Sequence, residues 1–260
     1  MERIQNSTKI VNNSKASVIL VNKKTGVKSP NATKKAFVVV ENPQLAFLRI
    51  LKRCFPREVK RGGIHPTSVV SDGADIHPSV YIGPNCSIGK CKIKANTIIH
   101  SNVLINDNVT IGRNVIVYPY CLIGYEGLGH IENEKGMLEN FPHYGGVVLG
   151  DYVEVFPFTN IDRGTLGNTR VGRCTKIDHY CHIGHNVTIG KNCIITAGTI
   201  IAGSAKIGDG VWISPNSSIR DYVVVGNNAF IGLGAVVMKN VPALPAGLAS
   251  MALRAWSQIF

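Results

Sequence analysis

Residues 171–207 read VGRCTKIDHYCHIGHNVTIGKNCIITAGTIIAGSAKI, with a branched apolar residue at every sixth position: Val171, Ile177, Ile183, Ile189, Ile195, Ile201 and Ile207. The series continues through Ile213, Ile219, Val225, Ile231 and Val237 without a miss. Two positions before most of these lies a small or β-branched residue, among them Cys181, Val187, Cys193, Thr199, Ala205 and Val211. Glycine often follows the large residue, as at Gly172, Gly184, Gly190, Gly208 and Gly226, where a chain turning a corner is expected to need unusual φ. Each hexad is thus a short strand plus a turn. Three such strands make a coil of about 18 residues, so like residues pile up along a triangular prism. The expected fold is mainly β, a left-handed parallel β-helix of hexapeptide repeats.

The pattern extends upstream through Ile64, Val70, Ile76, Ile82 and Ile88, slips by one residue to Ile93, and continues through Ile99, Ile105, Ile111, Val117 and Ile123. It then breaks and resumes at Leu149, Val155 and Ile161, which marks residues 125–146 as an excursion from the helix. A shorter insertion at residues 162–170 precedes Val171. A long loop interrupting a regular solenoid does little for the fold itself, so 125–146 is a functional candidate.

Before the helix, residues 16–21 and 36–40 are apolar runs of strand length, expected to be buried strands. Asn42 is suited to cap a helix opening at Pro43, with Leu45, Leu48 and Leu51 on one face and an end before Pro56. The expected organisation is a small, partial α/β domain over residues 1–60, the β-helix over 61–241, and a short C-terminal tail over 242–260.

Apolar residues make up 45% of the chain and aromatics 7%, so the core relies on Ile and Val. Seven cysteines at scattered spacings do not form a disulfide framework; Cys86, Cys91, Cys121, Cys181 and Cys193 fall on inward positions and read as small buried hydrophobes in a reducing compartment. Neither a signal peptide nor an apolar run of membrane-spanning length is found, so a cytoplasmic protein without stable membrane insertion is expected. The net charge of +12 suits an acidic partner or substrate, but the cationic residues lack aromatic interleaving, which argues against nucleic acid.

The densest polar cluster is residues 176–186, KIDHYCHIGHN, with His179, His182 and His185. A zinc site is one reading of three clustered histidines. The residues 18 positions on are Ala197, Ile200 and Gly203, whose side chains cannot ligate, so no metal is expected. A neutral imidazole acting as general base on an amine that attacks a thioester is a second reading, and exposed turn histidines a third. Asp162-Arg163-Gly164, at the start of the short insertion, would either hold a polar substrate or form a salt-bridged turn.

Gly146-Val147-Val148-Leu149-Gly150-Asp151, Asn160-Ile161-Asp162-Arg163-Gly164-Thr165-Leu166, Lys176-Ile177-Asp178 and Gly184-His185-Asn186-Val187 together resemble the UDP-3-O-acylglucosamine N-acyltransferases of lipid A biosynthesis. The excursion is similar to that family's loop in Gly127-Leu128-Gly129 and Phe141-Pro142-His143-Tyr144-Gly145. Residues 14–54 resemble part of its uridine-binding domain, and Gly247-Leu248-Ala249-Ser250 with Arg254 and Trp256 its segment after the helix. The resemblance implies a homotrimer with active sites between neighbouring prisms. It further implies a (3-hydroxy)acyl chain delivered by acyl carrier protein to the 2-amino group of a UDP-sugar, with no cofactor beyond the carrier-bound donor. It makes His185 the catalytic base and Asp178 its orienting partner, with Asp162, Arg163, His143, His182 and Asn186 at the substrate. Where the family has a second histidine beyond His185, this chain has Tyr222. Two alternatives stand beside this expectation: an N-acetyltransferase for a nucleotide amino sugar using acetyl-CoA, and a non-catalytic trimer.

Overall fold

A computed structural model describes residues 13–23, 35–56 and 62–245. The chain divides into two compact units, Met1–Val59 and Lys60–Phe260.

In the first unit, β1 (Val18–Val21) pairs in parallel with β2 (Ala36–Val39), and α1 (Pro43–Cys54) follows. Asn42 caps α1 by accepting the Leu45 N–H at 3.0 Å, with Pro43 in the first turn, where its missing N–H costs nothing. The strands differ from expectation in burial. Only Val21 is buried among their residues, while Val18, Val38 and Val39 are exposed, because two strands and one helix offer too few layers to enclose a core.

The second unit is the left-handed parallel β-helix, with three parallel sheets of nine, eight and nine strands, most of them two residues long. Like stacks on like: Ile183 pairs with Ile201, Ile201 with Ile219, and Ile219 with Val237. These isoleucines and valines, with Cys86, Cys91, Cys121, Cys181 and Cys193, form one continuous buried core. Burial pushes the thiols of Cys91 and Cys181 up to about 11 and that of Cys121 to about 12, so these sulfurs stay protonated and serve as packing groups.

The corners differ from the expectation for glycine. The unusual φ falls not on the glycine after each large residue but two places later, at positions such as Asn186, Asn192, Asn216 and Asn228, with φ between 56° and 60°. Among the described residues, sixteen non-glycine residues adopt this left-handed conformation, and nine are Asn, the side chain best suited to it. The glycine is needed for closeness. A Cβ on Gly172 would lie 2.5 Å from the Gly190 backbone of the next coil, and one on Gly190 would lie 2.6 Å from that of Gly208.

Partner spacing locates both insertions. A regular coil advances 18 positions, but Arg113 meets Asp151 across 38, so 20 residues are looped out, and Thr159 meets Cys181 across 22, so 4 more are. The first excursion carries an antiparallel hairpin, His130–Glu132 with Leu138–Asn140. Both insertions interrupt coils at the edge of one sheet, which runs through Leu122–Tyr125, Asn160–Asp162, His182–Ile183 and Ile200–Ile201 and is called the histidine face below. The expected tail over residues 242–260 lies, beyond residue 245, outside the described residues.

Candidate active site

The pleat of the histidine face dictates its chemistry. With Ile161 and Ile183 turned inward, the strand neighbours Asn160 and His182 stand outward and directly paired. One Asn160 Nδ2 hydrogen bond reaches Asp162 Oδ1 at 2.6 Å, and the same amide lies 3.2 Å from His182 Nδ1. His182 Nε2 lies 3.5 Å from Asp162 Oδ2. Asp162 is only 3% exposed, and this burial pushes its carboxyl above the ordinary carboxylate value, opposed by His182, Asn160, His185 and His143.

His185 occupies the corner that follows His182–Ile183. Its ring lies in a slot between two glycines: a Cβ on Gly203, one coil on, would approach Nε2 and Cε1 to 2.6 Å, and one on Gly127 of the excursion would approach Cδ2 to 3.0 Å. His143, also from the excursion and 2% exposed, tilts 56° against it with ring centroids 4.9 Å apart. His143 Nδ1 is buried without a hydrogen-bond partner. Desolvation holds the His185 imidazole below its ordinary value, reinforced by His143 and His182 and opposed by Asp162. The shift favours the neutral ring, the form a proton acceptor needs.

Asn186 ties this corner to the short insertion. Its Oδ1 accepts the Thr165 N–H at 2.8 Å, its Nδ2 donates to Thr165 Oγ1 at 2.9 Å, and Nδ2 lies 3.0 Å from His185 Nδ1. Asn186 is thus a clamp on the insertion as well as a neighbour of the histidine, a role its spacing in the sequence did not signal.

The structure brings together His185, His143, His182, Asp162 and Asn186, drawn from three separate stretches of chain. Two residues expected with them lie elsewhere. Asp178 follows Lys176–Ile177, one face earlier, and so sits at the preceding corner; its carboxylate receives the His179 backbone N–H at 2.9 Å, lies 2.6 Å from His179 Nδ1, and accepts from the Ala197 amide at 3.2 Å. Partial burial opposes its charge, yet these bonds hold the Asp178 carboxyl below its ordinary range. Within one chain the carboxylate whose charge reaches His185 is that of Asp162, while Asp178 lies at the preceding corner, because seven residues carry the chain past a whole face. Arg163 donates from Nη2 to the Asp107 carbonyl at 2.6 Å, which fastens the insertion to the corner two coils beneath. Among the described residues no group of three His, Cys, Asp or Glu side chains is arranged to hold a metal ion. Neither Gly127 nor Gly203 is among the site residues expected from sequence; only Gly203, one coil of 18 after His185, had a signal in the repeat.

Residues 90–125, 168–203 and 204–239 match the bacterial transferase hexapeptide (six repeats) family. A UDP-3-O-acylglucosamine N-acyltransferase of Coxiella burnetii is 32% identical over 249 residues, covering 88% of this chain and 71% of its own length. UDP-3-O-acylglucosamine N-acyltransferase 1 of Francisella tularensis is 38% identical over 211 residues, covering 74% of this chain and 61% of its own. Among solved structures, the UDP-N-acetylglucosamine acyltransferase of Francisella novicida superposes with a TM-score of 0.64 at 34% identity, over 70% of this chain and 64% of that one.

Proposed function

The chain belongs to the UDP-3-O-acylglucosamine N-acyltransferase family, and from that premise we propose that it N-acylates the 2-amino group of UDP-3-O-acylglucosamine, with His185 as the proton acceptor. The observation that carries the reading is the slot around His185: an imidazole held between Gly203 and Gly127 and against the His143 ring, with the buried Asp162 carboxylate close enough to act on its charge.

In the proposed step the amine nitrogen attacks the thioester carbon of the donor. The N–C bond forms as the C–S bond breaks. His185 takes the amine proton and returns it to the departing thiolate, giving an amide and a free carrier thiol, so protons and electrons balance without a cofactor.

The donor we propose is a (3-hydroxy)acyl chain on acyl carrier protein, to which the chain's net charge of +12 is complementary. We further propose a homotrimer. An exposed aromatic ladder, Tyr120 on Phe158 on Tyr180 with centroids 5.0 and 5.2 Å apart, climbs the corner that carries Asp178, and a neighbouring prism seated there would remove it from water. The same seating would give Asp178 a place at a shared site.

The test is product analysis by mass spectrometry with UDP-3-O-acylglucosamine as acceptor, comparing 3-hydroxyacyl carrier protein with acetyl-CoA. Amide formation from the carrier-bound donor is expected. Acetylation only would move the activity to an acetyl-CoA enzyme, and no product from either donor would contradict acyl transfer to this sugar.

A further inference from the structure

His143 does not reach the histidine face by way of the repeat; the excursion delivers it, and it arrives buried. Three observations make it more than a packing residue. Its ring closes on that of His185 at 4.9 Å. Gly129 makes room for it, since a Cβ there would stand 3.2 Å from His143 Cε1. Its Nδ1 is buried without a partner, an arrangement that costs stability and is kept at functional positions more readily than elsewhere.

We propose that His143 is a positioning residue for His185: the excursion presses a second imidazole against the proton acceptor and fixes its ring plane. This rests on the reading of His185 given above, and it replaces the expected role of His143 as a substrate contact. The physical basis is desolvation and like charge. Two imidazolium rings this close repel, and a buried ring next to His185 strips it of water, both of which keep it neutral. The other groups facing His185 are Asp162 and His182 on the histidine face, Asn186 in its own corner, and the side-chain-free Gly127 and Gly203. Of these, Asp162 alone favours the charged ring.

The experiment uses the full chain and two variants. His143→Gln removes the ring and its charge; His143→Phe keeps the ring and removes both nitrogens, so it also removes the unpartnered Nδ1 and is expected to fold. Proton NMR titration of the His185 Cε1–H is followed with steady-state kinetics against pH. Both variants should move the His185 titration and the acid limb of kcat/KM to higher pH, the Gln variant further, because it also admits water. The Gln variant should lose about 10-fold or more in kcat, as misplacement of a reacting group does, while KM for the sugar stays within about 2-fold. The proposal is overturned by an unmoved His185 titration in both variants, or by a raised sugar KM at constant kcat, which would make His143 a substrate contact. The titration needs no turnover. An inactive wild-type protein would therefore count against the proposed reaction while the role of His143 is still decided.

Discussion

At the scale of single residues, His185 is set between opposing influences, and each makes a separate prediction. Asp162 favours the protonated ring, so Asp162→Asn should carry the acid limb of kcat/KM to lower pH, opposite in sign to the His143 variants. A pH–rate profile of each variant checks this, and shifts in the same direction would refute the arrangement of charges described. Gly203 tests the slot by sterics alone. Its φ is not in the left-handed region, so Gly203→Ala puts no strain on the backbone, but the new Cβ would stand 2.6 Å from the His185 ring. The fold should survive, since the ring can swing outward, while kcat falls by about 10-fold or more; unchanged kcat with an unchanged melting temperature would show that the ring position is not limiting. Much of this site was legible in the sequence: His185, His143, His182, Asp162 and Asn186 were all singled out. Their pairing was not. Which carboxylate meets which histidine depends on where each corner falls, and the seven residues from Asp178 to His185 cross a face. The glycines were hidden because their importance lies in a neighbour 18 residues away, or in a loop whose path no periodicity describes.

At the scale of the element, one hexad is a two-residue strand and a tight corner, and both were legible because the inward residues recur with a fixed period. The period alone put each of the five core cysteines inside. It did not say why the corners are rich in glycine. Glycine stands there for the close approach of one coil to the next, and the left-handed turn two positions on is taken most often by Asn. Two substitutions separate these reasons. Gly172→Ala forces a Cβ into the Gly190 backbone and should cost about 1–3 kcal/mol, the range for overpacking. Asn192→Ala at φ 56° should cost about 1–2 kcal/mol through the left-handed conformation, and Asn192→Gly much less. Urea unfolding measures all three. Equal losses for the Ala and Gly variants of Asn192 would mean that its side chain, and not its φ, matters. The two apolar runs near the start form strands, but their expected burial fails because a continuous apolar run marks a strand without naming the layer that covers it.

At the scale of the whole molecule, the candidate site lies where two interruptions of the repeat meet a regular corner, the one that carries His185. The 20-residue and 4-residue insertions both open at the edge of the histidine face, and together they bring Gly127, His143 and Thr165 to the corner of His185 and Asn186. The length of 125–146 made it a functional candidate; that it would bury an imidazole against His185 could not be read from the sequence. No helix among the described residues is long and apolar enough to cross a membrane. The central claim is that this corner transfers an acyl group through His185. The most direct measurement is single-turnover N-acylation of UDP-3-O-acylglucosamine from 3-hydroxyacyl carrier protein by the wild-type chain and by His185→Ala, with the mass of each assembly in solution measured alongside. The account expects the variant to keep the wild-type assembly and to lose about 100-fold or more in rate, the range for removal of a general base. Equal rates for the two proteins would contradict it.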